Sequence, residues 1–313
     1  MSADSPIFIV GAARSGTTLL QYMLRSHPDI SMPTAESHFF IPFYHRRDEF
    51  GDISQFSDLR FLLESIYKSR KNFFDEEVHG IRFDPECLAR QLLERKCRTI
   101  PEVISGIFQV NAEAEGKVRW GDKTPYYILH LNTILEMFPN AQIIHLIRDG
   151  RDCALSMQER KWDLQIYNIY HAGITWNKYV TAGREFGKQH PECYFEILYE
   201  DVLNDPETAV KRLCEYLQVD FSSSVINYKK STYSGRSGEP HNLQKDIQKN
   251  NQSKWKKKMS PKQLSIFEAI AGNTLRDCGY ELQNDSTFIS RLDWFVNESH
   301  IKFCSFLSKQ MNS

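Results

Sequence analysis

Ile7-Phe8-Ile9-Val10-Gly11-Ala12-Ala13-Arg14-Ser15-Gly16-Thr17-Thr18-Leu19-Leu20 is the stretch on which the reading of this chain turns. Its first four residues are a short, continuous apolar run that stops at a glycine, the pattern of a strand buried on both faces. From Thr17 through Leu19, Leu20, Met23 and Leu24 to Arg25 the spacing is helical. The turn between them reads G-x4-G-T-T. Glycine permits positive φ and close approach, so successive backbone N–H groups can curl around an anion where the helix N-terminus adds partial positive charge. With 15 glycines in the chain, a bare G-x4-G arises about once by chance, and the two threonines lower that to roughly one in a thousand. The plain alternative is an ordinary strand-to-helix turn capped by Ser or Thr.

Working outward, Gln142-Ile143-Ile144-His145-Leu146-Ile147 reads as a second core strand followed by a polar turn and a helix. Tyr194–Leu198 reads as a further strand and Pro206–Leu217 as the helix after it. Residues 59–114 read as helices broken near 80–85 and 100–101. Strands alternating with helices predict an α/β, three-layer fold with a mostly parallel central sheet flanked by helices. Two segments stand apart. Seven lysines and one aspartate fall between Lys245 and Lys262, after the Gly- and Ser-containing stretch 234–238; the plain reading is a solvated helix face. Near the end, Phe288, Leu292, Phe295, Phe303, Phe306 and Leu307 recur at roughly helical spacing. They predict a helix packed on its own domain, or else a contact between two copies.

Composition bounds the function. The 313 residues carry 39 Lys+Arg against 40 Asp+Glu, a net charge of −1, which argues against a nucleic-acid partner held by overall charge. No apolar run reaches the roughly 18 residues of a membrane span, and residues 1–6 leave no room for a signal peptide. Seven cysteines without a C-x-x-C pair predict neither a zinc site nor a disulfide framework, and hence a cytoplasmic protein with reduced thiols. The loop itself also excludes something. A nucleotide triphosphatase places Lys after the second glycine; here Thr17 stands there and Arg14 is the loop's cation. After the second core strand the acids are Asp149 and Asp152, interleaved with Arg148 and Arg151, with no clear magnesium ligand. A cradle of this kind points away from phosphoryl transfer and towards a group of lower charge.

The Arg14-Ser15-Gly16-Thr17-Thr18 loop resembles the 5′-phosphosulfate loop of sulfotransferases that use 3′-phosphoadenosine 5′-phosphosulfate (PAPS). Residues 8–42, with Ser26-His27-Pro28 and Glu36-Ser37-His38, are most similar to the tyrosylprotein sulfotransferase branch and its bacterial relatives. The resemblance covers residues 5 to about 280, which implies a P-loop type sulfotransferase domain over 1–280 and a helical extension over 281–313. It implies that Arg14, Ser15, Gly16, Thr17 and Thr18 hold the 5′ end of the donor. Arg148 and Ser156 would grip the 3′-phosphate; eight residues are slightly more than two helical turns, so both can face one side. Tyr199, in Tyr199-Glu200-Asp201, would lie near the adenine, with the acids capping a helix or bracing the fold. Ser253 and Lys254 would close over the donor, with Lys256, Lys257 and Lys258 left to solvent.

By the same resemblance Glu36 is the general base, while Lys123 and Arg14 stabilise the transition state. His38 stands where the tyrosylprotein enzymes carry an arginine, so it is a rival base or, with Phe39 and Phe40, an acceptor-binding group. Phe43, Tyr44, Trp162, Tyr167 and Tyr170 fit an acceptor pocket or the core equally well. The implied reaction is metal-independent sulfuryl transfer from PAPS to a hydroxyl, with an amine as second choice, releasing adenosine 3′,5′-bisphosphate. The acceptor is a small molecule, a glycan or a peptide, and the enzyme is a candidate homodimer. The competing readings are an atypical P-loop small-molecule kinase and a non-catalytic nucleotide-binding scaffold.

Overall fold

A computed structural model describes residues 5–70, 73–74, 80–228, 247–284 and 289–311. Five strands form one sheet in the order β2-β3-β1-β4-β5. β1 (Ile7–Val10) lies at its centre, parallel to β3 (Arg119–Lys123), with Ile7 opposite Gly121, and to β4 (Gln142–Ile147), with Ile7 opposite Gln142. β2 (Ile30–Ser31) and β5 (Tyr194–Leu198) are the parallel outer strands. All five carboxyl ends therefore open on one edge, where open α/β sheets bind ligands.

The alternation of side chains along β1 and β4 builds the layers. Phe8, Val10 and Ile143 face an aromatic core with Phe108, Trp120 and Phe138, whereas Ile7, Ile9, Ile144 and Leu146 face Leu20, Met23 and Leu24 of the first helix and Leu213 of Pro206–Leu217. Each such side chain, fully buried, contributes about 1.5–3 kcal/mol of transfer free energy. Residues 59–114 fall in the helices Phe56–Ser69, Pro85–Glu94 and Ile100–Ala114. The last begins at a capping box in which Thr99 and Glu102 exchange hydrogen bonds.

β3 lacks the apolar signal of a core strand. It reads Arg119-Trp120-Gly121-Asp122-Lys123, yet all five residues are buried. Burial is tolerated because partners are built in: Arg119 donates to the carbonyls of Ser5 and Leu217 and to Gln142 Oε1.

Phe39 and Phe40 depart from the expectation that they line an acceptor site. They are 2% and 0% exposed and pack against Phe73, Phe74, Phe108 and Trp120, so neither has surface to offer a ligand. Phe43, Tyr167 and Tyr170 are buried as well, while Tyr44 is half-buried and Trp162 exposed. The stretch 234–238, Lys245 and Phe288 lie outside the described residues. The last helix, Arg291–Met311, does not bury its apolar stripe as the expected packing requires: Leu292, Phe295, Phe303 and Phe306 are exposed. No described helix is long and apolar enough to cross a membrane.

Candidate active site

The turn after β1 is closed from within. Ser15 N–H and Ser15 Oγ–H both donate to the Ala12 carbonyl, at 3.2 and 2.7 Å, so the serine side chain shapes the loop rather than pointing out of it. Gly16 heads the helix Thr17–Arg25 in a left-handed conformation, with neither a side-chain cap nor an acid in the first turn. Among the described residues the N–H groups of Gly16, Thr17 and Thr18 and the hydroxyls of Thr17 and Thr18 have no partner. A helix start left this bare turns unpaired donors and partial positive charge outward, the features that suit an anion. Glycine is required here twice over: φ is +99°, and a Cβ would come within 2.5 Å of the Tyr199 ring.

The turn after β4 divides its charges between two tasks. Asp149 caps the helix Gly150–Glu159 and pairs with Arg151 at 2.8 Å, and Arg151 also meets Glu268 at 2.8 Å in full burial. Arg148 points the other way, with one terminal nitrogen 3.7 Å from the buried Asp152 carboxylate. One of its terminal nitrogens donates to the Arg14 carbonyl at 3.3 Å and the other to the Asn251 carbonyl at 3.0 Å; its guanidinium lies 4.6 Å over the Tyr199 ring. Its buried Nε has no partner among the described residues. Arg14 Nε donates to Ser156 Oγ at 2.9 Å, so the two turns are bound to each other. Glu200 braces them, accepting from Asp149 N–H at 3.1 Å and the Tyr280 hydroxyl at 2.8 Å.

The segment around Ser253 docks on this turn. Trp255 N–H donates to Asp152 Oδ1 at 2.9 Å, and Arg151 stacks 3.7 Å over the Trp255 ring. Ser253 and Lys254 sit exposed beside it, as do Lys256, Lys257 and Lys258. Asn251 is the residue sequence reading missed. Its amide donates to the Tyr199 hydroxyl at 2.7 Å while its carbonyl accepts from Arg148. The only sequence signal at this position is a glycosylation sequon, which hides the role.

The third group gathers at the ends of β2 and β3. Lys123 Nζ donates to Glu36 Oε1 at 2.8 Å, and His38 Nε2 lies 2.9 Å from Glu36 Oε2. The Lys123 side chain is 4% exposed and that of Glu36 37%. Burial opposes ionisation of the Glu36 carboxyl, but the His38 hydrogen bond and the Lys123 charge outweigh it and hold it at about 2. The loop is fastened from behind. Ser37 N–H donates to Thr124 Oγ1 at 3.0 Å, Ser37 Oγ lies 2.8 Å from the buried Tyr127 hydroxyl, and Arg70 donates to the Glu36 carbonyl at 3.0 Å. Next to Lys123, burial pushes Asp122 up to about 6 against the pull of the Thr124 and Ser37 hydroxyls.

Unpartnered backbone N–H groups, two arginines joined across adjacent turns and a carboxylate–ammonium pair thus lie together at the carboxyl ends of the strands. Residues 6–223 match the sulfotransferase family, and the chain belongs to that family. It is 24% identical over 225 residues to a putative protein-tyrosine sulfotransferase of Caenorhabditis briggsae, covering 71% of this chain and 68% of that protein. It is 25% identical over 256 residues to an omega-hydroxy-beta-dihydromenaquinone-9 sulfotransferase of Mycobacterium bovis, covering 69% and 63%. Among solved structures, the sulfotransferase domain from the curacin biosynthetic pathway superposes with a TM-score of 0.59 at 25% identity, over 89% of this chain and 98% of that one. The chain spans only 30% of the length of another matching protein, from Aquifex aeolicus.

Proposed function

We propose that this chain transfers a sulfuryl group from PAPS to an acceptor hydroxyl, releasing adenosine 3′,5′-bisphosphate. The observation that carries the reading is the convergence of the two arginine-bearing turns, joined by Arg14–Ser156 and Arg148–Arg14 contacts, with the 2.8 Å Glu36–Lys123 pair. The donor fits on this chain's own chemistry. The bare N–H groups of Gly16, Thr17 and Thr18 suit the 5′ end, and the orphaned Arg148 Nε suits a phosphate, while the buried Tyr199 ring, 4.6 Å beneath the Arg148 guanidinium, backs that arginine on the adenosine side. When bound, PAPS supplies an electrophilic sulfur with an adenosine bisphosphate leaving group.

The residues of the chain do the rest. Glu36, ionised throughout the neutral range, accepts the proton of the acceptor hydroxyl as its oxygen attacks sulfur. Lys123 stabilises the charge that appears on the departing phosphate oxygen when the S–O bond breaks, and Arg14 stabilises the sulfuryl oxygens. His38, hydrogen-bonded to Glu36, orients the carboxylate and faces the acceptor side with the exposed Tyr126, whose ring centre lies 6.2 Å away. Ser253 and Lys254 cover the donor at its 3′-phosphate end. Relatives named for protein tyrosine and for omega-hydroxy-beta-dihydromenaquinone-9 support a peptide or small-molecule acceptor. Seven free cysteines, six of them buried, support a cytoplasmic location.

Transfer of labelled sulfate from PAPS, together with calorimetric titration of adenosine 3′,5′-bisphosphate, tests the reading. We expect a micromolar dissociation constant independent of magnesium. Absence of binding, or magnesium-dependent binding of ATP in its place, rejects it. Binding with no turnover on any hydroxyl acceptor leaves a non-catalytic scaffold instead.

A further inference from the structure

The last helix, Arg291–Met311, leaves most of its large apolar side chains in solvent. Towards the domain it sets the buried Cys304 and the half-buried Ile301 and Leu307, and Asn168 Nδ2 donates to the Asn297 carbonyl at 3.1 Å. Towards solvent it offers Leu292, Phe295, Val296, Phe303 and Phe306, each between 55% and 70% exposed. At about 100° per residue these five side chains and Ser299 fall in one stripe roughly 100° wide. A monomer gains nothing from holding such a stripe in water, and exposed apolar patches of this size mark interaction sites.

Spacing, area and charge choose the occupant. Leu292 and Phe306 stand seven residues either side of Ser299, and Phe295 and Phe303 stand four either side. An antiparallel copy crossing at Ser299 therefore sets Leu292 against the other copy's Phe306, and Phe295 against its Phe303. Both contacts occur twice, as a two-fold axis demands. Small Ser299 on the axis lets the helices approach to about 8–10 Å. The five side chains expose roughly 500–600 Å² per chain, close to the ~600 Å² per partner at the lower bound of stable interfaces, before any flanking contact. The described helix carries Arg291, Lys302 and Lys309 against Asp293 and Glu298. That mixture lacks the basic face of a helix lying on a membrane.

We propose that the chain forms a two-fold dimer through this helix, paired antiparallel about Ser299. Sedimentation of the full chain at 1–50 µM should give a dimer. F295E/F303E, which sets carboxylates against each other twice, should weaken association by at least about 100-fold while the circular dichroism spectrum is retained. F295E/F303K, which pairs opposite charges across the same contacts, should regain much of that loss. S299C should give a disulfide-linked dimer under mild oxidation beyond any formed by the wild type with its exposed Cys87. A wild type that is monomeric at 50 µM, with or without affinity for phosphatidylcholine vesicles, overturns the proposal. A dimer untouched by F295E/F303E overturns it too, and equal association of the E/E and E/K variants overturns the antiparallel register. None of these readouts depends on sulfuryl transfer.

Discussion

The carboxyl edge of the sheet and the charge cluster directly beneath it use the same residue types to opposite ends. In the cluster, Arg151, Asp149 and Glu268 satisfy one another: Arg151 bridges both acids, and Glu268 also accepts from the N–H groups of Gln283 and Asn284. At the edge, the first turn of the helix Thr17–Arg25 and Arg148 Nε keep donors with no internal partner among the described residues. Two arginines three positions apart thus separate cleanly. The one whose hydrogen bonds are complete holds the fold; the other keeps a donor to spare, as the proposed donor site requires. Removing one member of a closed buried charge network is costly, because its partners stay charged without a counter-ion, whereas a donor left open has no such partner to strand.

Variants can break this division. The largest effect is expected at Glu36: Glu36→Gln should lower turnover by about 10²–10⁴-fold, read by labelled sulfuryl transfer below the melting transition, and the melting temperature at neutral pH should fall as well, because the buried Lys123 loses its counter-charge. Wild-type-like turnover in this variant would remove Glu36 from the base role. Arg151→Met should lower stability by about 3–5 kcal/mol, because Asp149 and Glu268 stay buried without their cation. That is a drop of about 10 °C in melting temperature, with nucleotide affinity below the transition preserved within about threefold. Arg148→Met should shift the balance: binding of adenosine 3′,5′-bisphosphate weakened about 100-fold by calorimetry, with a smaller loss of stability than Arg151→Met, because its ion pair with buried Asp152 is the longer one at 3.7 Å. If both arginine variants behave alike, the division fails.

A smaller and pH-dependent effect is expected at Asp122, which is fully buried and pushed up to about 6. The unfolded chain releases this proton near the ordinary value of 3.8, so the native state holds more protons between about 4 and 6. Its contribution to stability is complete below 3.8 and is lost as pH rises through about 6. Asp122→Asn imitates the protonated form, so the variant should gain on the wild type across that window, reaching about 2–3 kcal/mol at pH 7. Denaturant titrations at pH 4 and pH 7 measure it; an equal difference at both would refute the assignment. Glu36 has the opposite sign, its contribution being present above 4.5 and lost as pH falls towards about 2.

What the sequence made legible follows from where apolar pattern and glycine chemistry coincide. β1, β4 and β5, and the helices Thr17–Arg25 and Pro206–Leu217, announce themselves by continuous or periodic apolar runs and lie at the expected positions. β3 does not, because three of its five residues are charged and its burial rests on long-range partners that no local window contains. β2, at two residues, is too short to carry a period. At the site, Arg14, Arg148, Ser156 and Tyr199 come together as their motifs suggest, and so do Glu36, His38 and Lys123. Phe39 and Phe40, read from sequence as acceptor-binding, are buried, because an aromatic near a candidate carboxylate has one spelling whether it faces ligand or core. Asn251 was invisible because its importance lies in two partners 52 and 103 residues distant.

The placement of β1 at the centre of an all-parallel sheet also has a consequence for how the chain matures. Ile7 meets neither Gly121 nor Gln142 until more than a hundred further residues have been made. At 5–20 residues per second, the first strand leaves the ribosome on the order of 10 s before its last neighbour exists. During that interval Ile7-Phe8-Ile9-Val10 is a naked, uncharged β-former. Newborn chains of this protein should therefore lean on a holdase early in synthesis, and slow decoding between residues 11 and 141 should lower the soluble yield without changing a single contact of the finished molecule.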